Sequence, residues 1–131
     1  MRARLMVAVG LLLATTPVMA HHAFSAEYDA TKPVTLEGIV TKVEWQNPHV
    51  FFYIDVRDEQ TGKVTNWALE MGAPAVIQRN GWTRNSMKIG DIVTVTGTKA
   101  KNGKPLANAR SVVLTKTGKK LGAGSSEGVT P

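Results

Sequence analysis

The sequence predicts an all-β domain of five short strands, with one short helix between the third and fourth strands. Three observations lead to this prediction. Apolar and polar residues alternate in several short segments, turn-forming residues separate those segments, and one stretch changes to the spacing of a helix. The chain has 131 residues, of which 43% are hydrophobic and 20% are charged, so it holds one ordinary folded domain.

The first three strands form the first half of the domain. The first is predicted over Thr35–Gln46, where β-branched residues recur and Gly38 interrupts the alternation, as in a bulge or a coiled barrel strand. The second is predicted over residues 50–57, whose even-numbered apolar side chains share one face. Residues 58–63 form a hairpin loop, and the third strand follows over residues 64–70.

The helical stretch and two further strands complete the domain. Residues 73–80 have proline near their start and Asn-Gly at their end, which are the start and stop signals of a short helix. Strands are predicted over residues 92–98 and 108–115, joined by a glycine-containing loop at residues 101–104. This order is that of an OB-like five-stranded Greek-key barrel, with an open sandwich as the alternative. OB-folds bind ligands at the rim formed by the loop after the first strand and the loop between the last two.

The N-terminal segment, residues 1–20, has the pattern of a secretory signal peptide. Two arginines precede an apolar run over residues 5–14, and Val-Met-Ala at residues 18–20 suits a cleavage site. The run is about half as long as the roughly 20 residues of a spanning helix, which argues against a membrane anchor. We therefore expect cleavage after Ala20, export to the periplasm or out of the cell, and no membrane span in the mature chain.

The C-terminal segment, residues 116–131, is rich in glycine, serine, threonine and lysine and shows no hydrophobic period. Such a segment buries too little apolar surface to offset the entropy of ordering it, so we predict a disordered tail. The OB-like barrel domain then covers residues 21–115, including an N-terminal arm.

Composition excludes several classes of function. The chain has no cysteine, which removes disulfides, thiol catalysis and cysteine metal sites. Its net charge of +6 falls short of a basic nucleic-acid-binding stripe, so no nucleic-acid partner is expected. No nucleophile elbow, Walker loop or dinucleotide fingerprint occurs. Because no spacing pairs them, four carboxylates are interpreted as solvated strand or hairpin residues: Asp29, Asp55, Glu70 and Asp91.

The three histidines are the strongest candidates for a functional site. His21 and His22 follow the predicted cleavage site, and His49 lies in an Asn-Pro-His turn before the second strand. After cleavage, the α-amine and imidazole of His21 can chelate one ion, and a second imidazole would complete the three-nitrogen arrangement called a histidine brace. Such nitrogen ligands favour copper(II) over zinc and nickel, and Met71 is a further candidate as a thioether ligand to copper(I).

Each histidine also has an ordinary structural interpretation. A histidine pair at a mature N-terminus suits a signal peptidase or a solvated terminus, and Asn-Pro-His is common turn chemistry. Three functional hypotheses follow. The first is a periplasmic copper-binding module that uses His21, His22 and His49. The second is an adaptor barrel that binds a small ligand or an envelope protein without metal. The third, which the residues favour least, is an oxidative copper enzyme.

Several runs along the chain share the pattern of a known family. They are HHAFSAEYD at residues 21–29, KPVTLEG at 32–38, VEWQNPH at 43–49 and WALEMGAP at 67–74. On these runs the chain resembles DUF6152, an exported bacterial family of unknown function. The resemblance implies a small exported all-β domain and brings no assigned activity, so the metal hypothesis rests on the histidines themselves.

Overall fold

A computed structural model describes residues 24–125 of the chain. Within that range the backbone forms six strands and two short helices. In chain order these elements are α1 (residues 24–27), β1 (Tyr28–Glu44), β2 (Phe51–Arg57), β3 (Val64–Glu70), α2 (Pro74–Arg79), β4 (Ile92–Ala100), β5 (Leu106–Leu114) and β6 (Lys119–Gly122). The all-β class is therefore confirmed, and so is the short helix between the third and fourth strands.

Strand pairing runs from β3 through β2, β1, β4 and β5 to β6. These neighbours are antiparallel. One additional pairing is parallel, and it joins the end of β3 to the start of β5 through residues 68–70 and 106–108. Each of β1 to β5 consequently has at least two hydrogen-bonded neighbours, and the end of β3 is covered on both of its edges.

A close approach of β1 to β2 explains the glycine that interrupts the first strand. A methyl group at Gly38 would collide with the backbone carbonyl oxygen of Asp55 on β2. The β1–β2 register then shifts between Val40 and Lys42. Glycine therefore allows β1 to bend here while its two halves pair with different strands, β4 along the first part and β2 along the last.

The predicted disordered tail is wrong for residues 119–122, and the strand count is six rather than five. These residues form β6, which pairs with Ser111–Leu114 of β5. Leu121 is buried, and the indole N–H of Trp82 donates a hydrogen bond to the carbonyl oxygen of Gly122 at 2.9 Å. The segment has little hydrophobic pattern of its own. It is held by a short hairpin with the preceding strand β5 and by Trp82, which is distant in the chain.

Two apolar clusters form the interior of the described chain. The larger takes buried side chains from every strand and from α2. The smaller contains Phe24, Tyr28 and Ala100, with Leu106 packed against it. This second cluster fixes the N-terminal arm, residues 24–28, to the end of β4 and the start of β5. Among residues 24–125 no helix is long and apolar enough to cross a membrane.

Candidate functional site

His49 lies in the loop between β1 and β2, directly after the cis Asn47–Pro48 peptide bond. Its position is fixed by backbone hydrogen bonds that join Val50 to the segment after β3, with Val50 N–H donating to Gly72 at 3.1 Å and Met71 N–H donating to Val50 at 2.8 Å. The loop after the first strand is thus held against the end of the third strand.

The two nitrogens of the His49 ring have different surroundings. Nδ1 lies 3.1 Å from the backbone carbonyl oxygen of Met71 and 3.4 Å from Oε1 of Glu70. A carbonyl oxygen and a carboxylate only accept hydrogen bonds, so the neutral ring carries its hydrogen on Nδ1. Nε2 is then the nitrogen with a free lone pair, on a side chain that is 45% exposed.

Glu70 connects His49 to the N-terminal arm. It is the last residue of β3, and its side chain is only 12% exposed. Its second oxygen, Oε2, accepts a short hydrogen bond from the hydroxyl of Tyr28. Burial, followed by this hydrogen bond to Glu70, raises the pKa of Tyr28 well above its ordinary value, so the phenol remains a neutral donor.

The arm also contacts the loop between β4 and β5. Lys101 N–H donates to the carbonyl oxygen of Glu27 at 2.9 Å, and the Lys101 ammonium donates a short hydrogen bond to the carbonyl oxygen of Ser25. Phe24 and Tyr28 pack together with their ring centroids 5.4 Å apart. The arm is therefore bonded directly to the β4–β5 loop, and Glu70 links it to His49 in the β1–β2 loop.

The carboxylate of Glu27 interacts electrostatically with Glu70 and His49. Partial burial raises the pKa of Glu27, the nearby Glu70 raises it further, and His49 acts in the opposite direction. Tyr28, His49, Glu70 and the arm thus form one group, which we call the rim cluster. Across residues 24–125, however, no set of three or more histidine, cysteine or acidic residues is arranged to hold a metal ion.

The structure describes two of the four metal-site residues that the sequence predicts, His49 and Met71. His49 lies in the rim cluster, whereas His21 and His22 fall outside the described residues. Met71, the candidate thioether ligand, is 2% exposed and packs in the larger core cluster. Its backbone carbonyl oxygen lies 3.1 Å from Nδ1 of His49.

Sequence reasoning missed Glu70 and Tyr28. Glu70 was interpreted as a solvated strand residue, and that interpretation is wrong, since Glu70 is one of the buried polar residues of the described chain. The parallel β3–β5 pairing sets Glu70 opposite Asn108, and the Glu70 side chain contacts Tyr28 and His49. No local sequence pattern predicts a contact between strands so far apart in the chain.

A model of a family of unknown function, DUF6152, matches residues 8–109. The chain belongs to this family. The match covers well over half of the chain and includes the arm, His49 and Glu70. No curated protein and no solved structure matches the chain significantly. Membership in DUF6152 carries no activity with it, so function must be argued from the rim cluster.

A second tyrosine–glutamate pair lies on the surface of the sheet. The hydroxyl of Tyr53 is 3.4 Å from Oε2 of Glu44, and the Lys42 ammonium is 2.6 Å from Oε1 of Glu44. The hydrogen bond from Lys42 lowers the pKa of Glu44. We call these three side chains the surface cluster, and they provide a matched reference for the rim cluster.

Proposed function

We propose that this protein is an exported, OB-like β-barrel binding module that holds one copper ion at its N-terminal rim. The ligands in this proposal are the α-amine and imidazole of His21, with His22 and His49. The observation that carries it is the orientation of His49. Metal-binding histidines usually donate their other ring N–H to a carbonyl or carboxylate, and Nδ1 of His49 has both acceptors beside it.

The barrel part of the proposal is supported by the strand pairings. They can be followed from β1 through β2, β3, β5 and β4 back to β1 without a break. In an OB barrel, the β1–β2 and β4–β5 loops bind ligands. The His49 loop and the Lys101 loop are the corresponding segments here. The arm contacts the Lys101 loop directly and is linked to His49 through Glu70.

The anchored arm supports a shared site for the terminal histidines. Phe24 is buried, and His22 precedes it by two residues, so the Cα atom of His22 lies within about 7 Å of that of Phe24. Phe24 packs on Tyr28, and Tyr28 is hydrogen-bonded to Glu70 beside His49. The described arm is therefore linked to His49 through Tyr28 and Glu70, and the proposed site requires the terminal histidines to reach that side chain.

The donor set supports copper rather than a hard cation. One amine and up to three imidazoles are nitrogen ligands, which copper(II) binds more strongly than zinc or nickel does. The nearest carboxylate, Glu70, is occupied by Tyr28 and faces Nδ1 rather than Nε2. Glu70 therefore lies behind the imidazole as a hydrogen-bond acceptor.

Calorimetric titration with copper(II) tests this proposal. The exported protein beginning at His21 is compared with a His49→Ala variant and with a form carrying one extra residue before His21. The extra residue converts the chelating amine to an amide while keeping all imidazoles, so affinity should fall steeply. The His49→Ala variant should bind copper(II) roughly tenfold or more weakly than wild type. Equal affinity in all three forms would contradict a shared site.

A groove away from the rim supports the adaptor-barrel alternative. It is lined by ten residues of β1, β2, β4 and the β2–β3 hairpin, including Gly38 and Arg57. Ile39 and Ile92 face each other across β1 and β4 and are about half exposed. An apolar strip among one arginine and three acidic side chains suits a small ligand or an envelope protein. Retained copper affinity in the extended and His49→Ala forms would favour this second function.

A further inference from the structure

The rim cluster forms a chain of contacts that begins in the arm and ends at a histidine ring. Tyr28 is 2% exposed and is held in the smaller apolar cluster. Its hydroxyl donates to Oε2 of Glu70, and Oε1 of Glu70 lies 3.4 Å from Nδ1 of His49. The two carboxylate oxygens are therefore directed at different partners, one on the arm and one on the β1–β2 loop.

We propose that Glu70 is a positioning residue that, held by Tyr28, keeps His49 in the tautomer with hydrogen on Nδ1 and with Nε2 free for a ligand. This inference rests on the proposed copper function only in assigning a use to the free Nε2. The tautomer itself is argued from the protein alone, because Nδ1 lies at hydrogen-bond distance from the Met71 carbonyl oxygen and 3.4 Å from the Glu70 carboxylate.

Each partner has a distinct task in this arrangement. The Met71 carbonyl oxygen, 3.1 Å from Nδ1, is fixed by the backbone and cannot rotate. The carboxylate of Glu70 adds a charged acceptor, which strengthens the preference for hydrogen on Nδ1. Tyr28 orients that carboxylate, because its hydroxyl binds one oxygen and leaves the other directed at His49.

The isosteric substitution Glu70→Gln is the sharpest test. Its amide oxygen would take the hydrogen of Tyr28, which turns the amide NH₂ toward Nδ1. An N–H donor facing Nδ1 favours hydrogen on Nε2 instead, in competition with the Met71 carbonyl. Adding Tyr28→Phe should reverse this effect, since the amide is then free to turn its oxygen toward Nδ1.

The tautomer is read from two-bond couplings between ring nitrogens and carbon-bound ring hydrogens, in metal-free protein about two pH units above the ordinary imidazole pKa. The spectrum of His49→Ala assigns the His49 signals. Wild type should show mainly Nδ1–H, Glu70→Gln should show a clear rise in Nε2–H, and the double variant should return toward wild type. The matched control Glu44→Gln, in the surface cluster, should leave His49 unchanged.

Copper titration of the same variants separates this inference from the proposed function. Glu70→Gln should lower copper(II) affinity by about tenfold, as for other residues that orient a metal-binding histidine. The Nδ1–H tautomer without any copper binding would support the positioning role and refute the copper function. An Nε2–H tautomer in wild type, or no change in Glu70→Gln, would overturn the positioning role even if copper binds tightly.

Discussion

The rim cluster and the surface cluster use the same two residue types for different purposes. In each, a tyrosine hydroxyl lies beside a glutamate carboxylate. Tyr28 and Glu70 are buried, and their third partner is a histidine ring. Glu44 instead has Lys42 as its third partner, on the solvent-facing side of the sheet. Both clusters contain a tyrosine–glutamate pair. The rim cluster is the candidate site because its pair is buried and its third partner is a histidine.

The electrostatic consequences differ in the same way. Burial dominates at Tyr28 and raises its pKa, whereas the hydrogen bond from Lys42 dominates at Glu44 and lowers its pKa. A buried acceptor is costly to remove because its donor then loses its partner without gaining water. An exposed acceptor is replaced by water, so its removal changes little.

Removal of the two carboxylates should show the largest difference between the clusters. Glu70→Ala leaves the buried Tyr28 hydroxyl without its acceptor, and we expect the free energy of unfolding to fall by about 2–3 kcal/mol. Glu44→Ala, the matched variant, should lose much less, only the small contribution of its exposed pair with Lys42. Urea unfolding at neutral pH measures both. Similar losses in the two variants would mean that burial does not separate these clusters.

Removal of the Tyr28 hydroxyl should have a smaller and pH-dependent effect. Below pH 10 the phenol is neutral in both folded and unfolded chains, and Tyr28→Phe should cost about 1–2 kcal/mol. Above pH 10 the unfolded tyrosine ionises, while burial and Glu70 keep the folded one protonated. The advantage of wild type over Tyr28→Phe should therefore shrink by about 1.4 kcal/mol per pH unit.

Urea unfolding of both proteins from about pH 8 to pH 11 measures this change. Tyr53→Phe, the corresponding substitution in the surface cluster, is the control and should follow wild type throughout. A constant difference between wild type and Tyr28→Phe across this range would show that Tyr28 ionises equally in the folded and unfolded chains.

The smallest effect is expected in the surface cluster. Because Lys42 lowers the pKa of Glu44, the pair stabilises the fold above the ordinary glutamate pKa and loses that contribution as pH falls through the lowered value. Lys42→Gln should return the pKa of Glu44 toward 4.5, as followed by NMR titration of its side-chain carbonyl. Lys63→Gln, in the β2–β3 hairpin loop, should leave it unchanged.

The part of the fold that local patterns encode was predictable from the sequence. The third strand, Val64–Glu70, has the predicted bounds, because alternation and a hairpin loop define it without help from distant residues. The fourth strand begins at Ile92 as predicted and extends to Ala100. By contrast, β6 carries little hydrophobic pattern, and its stability depends on the edge of β5 and on Trp82.

The candidate site was predictable only in part, for the same reason. His49 was identified by residue type and by its turn before the second strand. Glu70 and Tyr28 are 42 positions apart, and only the closure of β3 on β5 and the docking of the arm bring them together. Their roles depend on tertiary contacts that hydrophobic periodicity does not report.

The most direct test of a copper site at the rim is the loss of NMR signals caused by substoichiometric copper(II), which broadens nuclei near the ion. In protein prepared so that it begins at His21, amide signals of the arm, His49 and Glu70 should disappear first. Signals of the 58–63 hairpin loop, at the opposite end of β2 and β3 from His49, should persist at the same copper concentration. Broadening centred on the surface cluster, or spread evenly over the protein, would contradict a copper site formed by the N-terminus and His49.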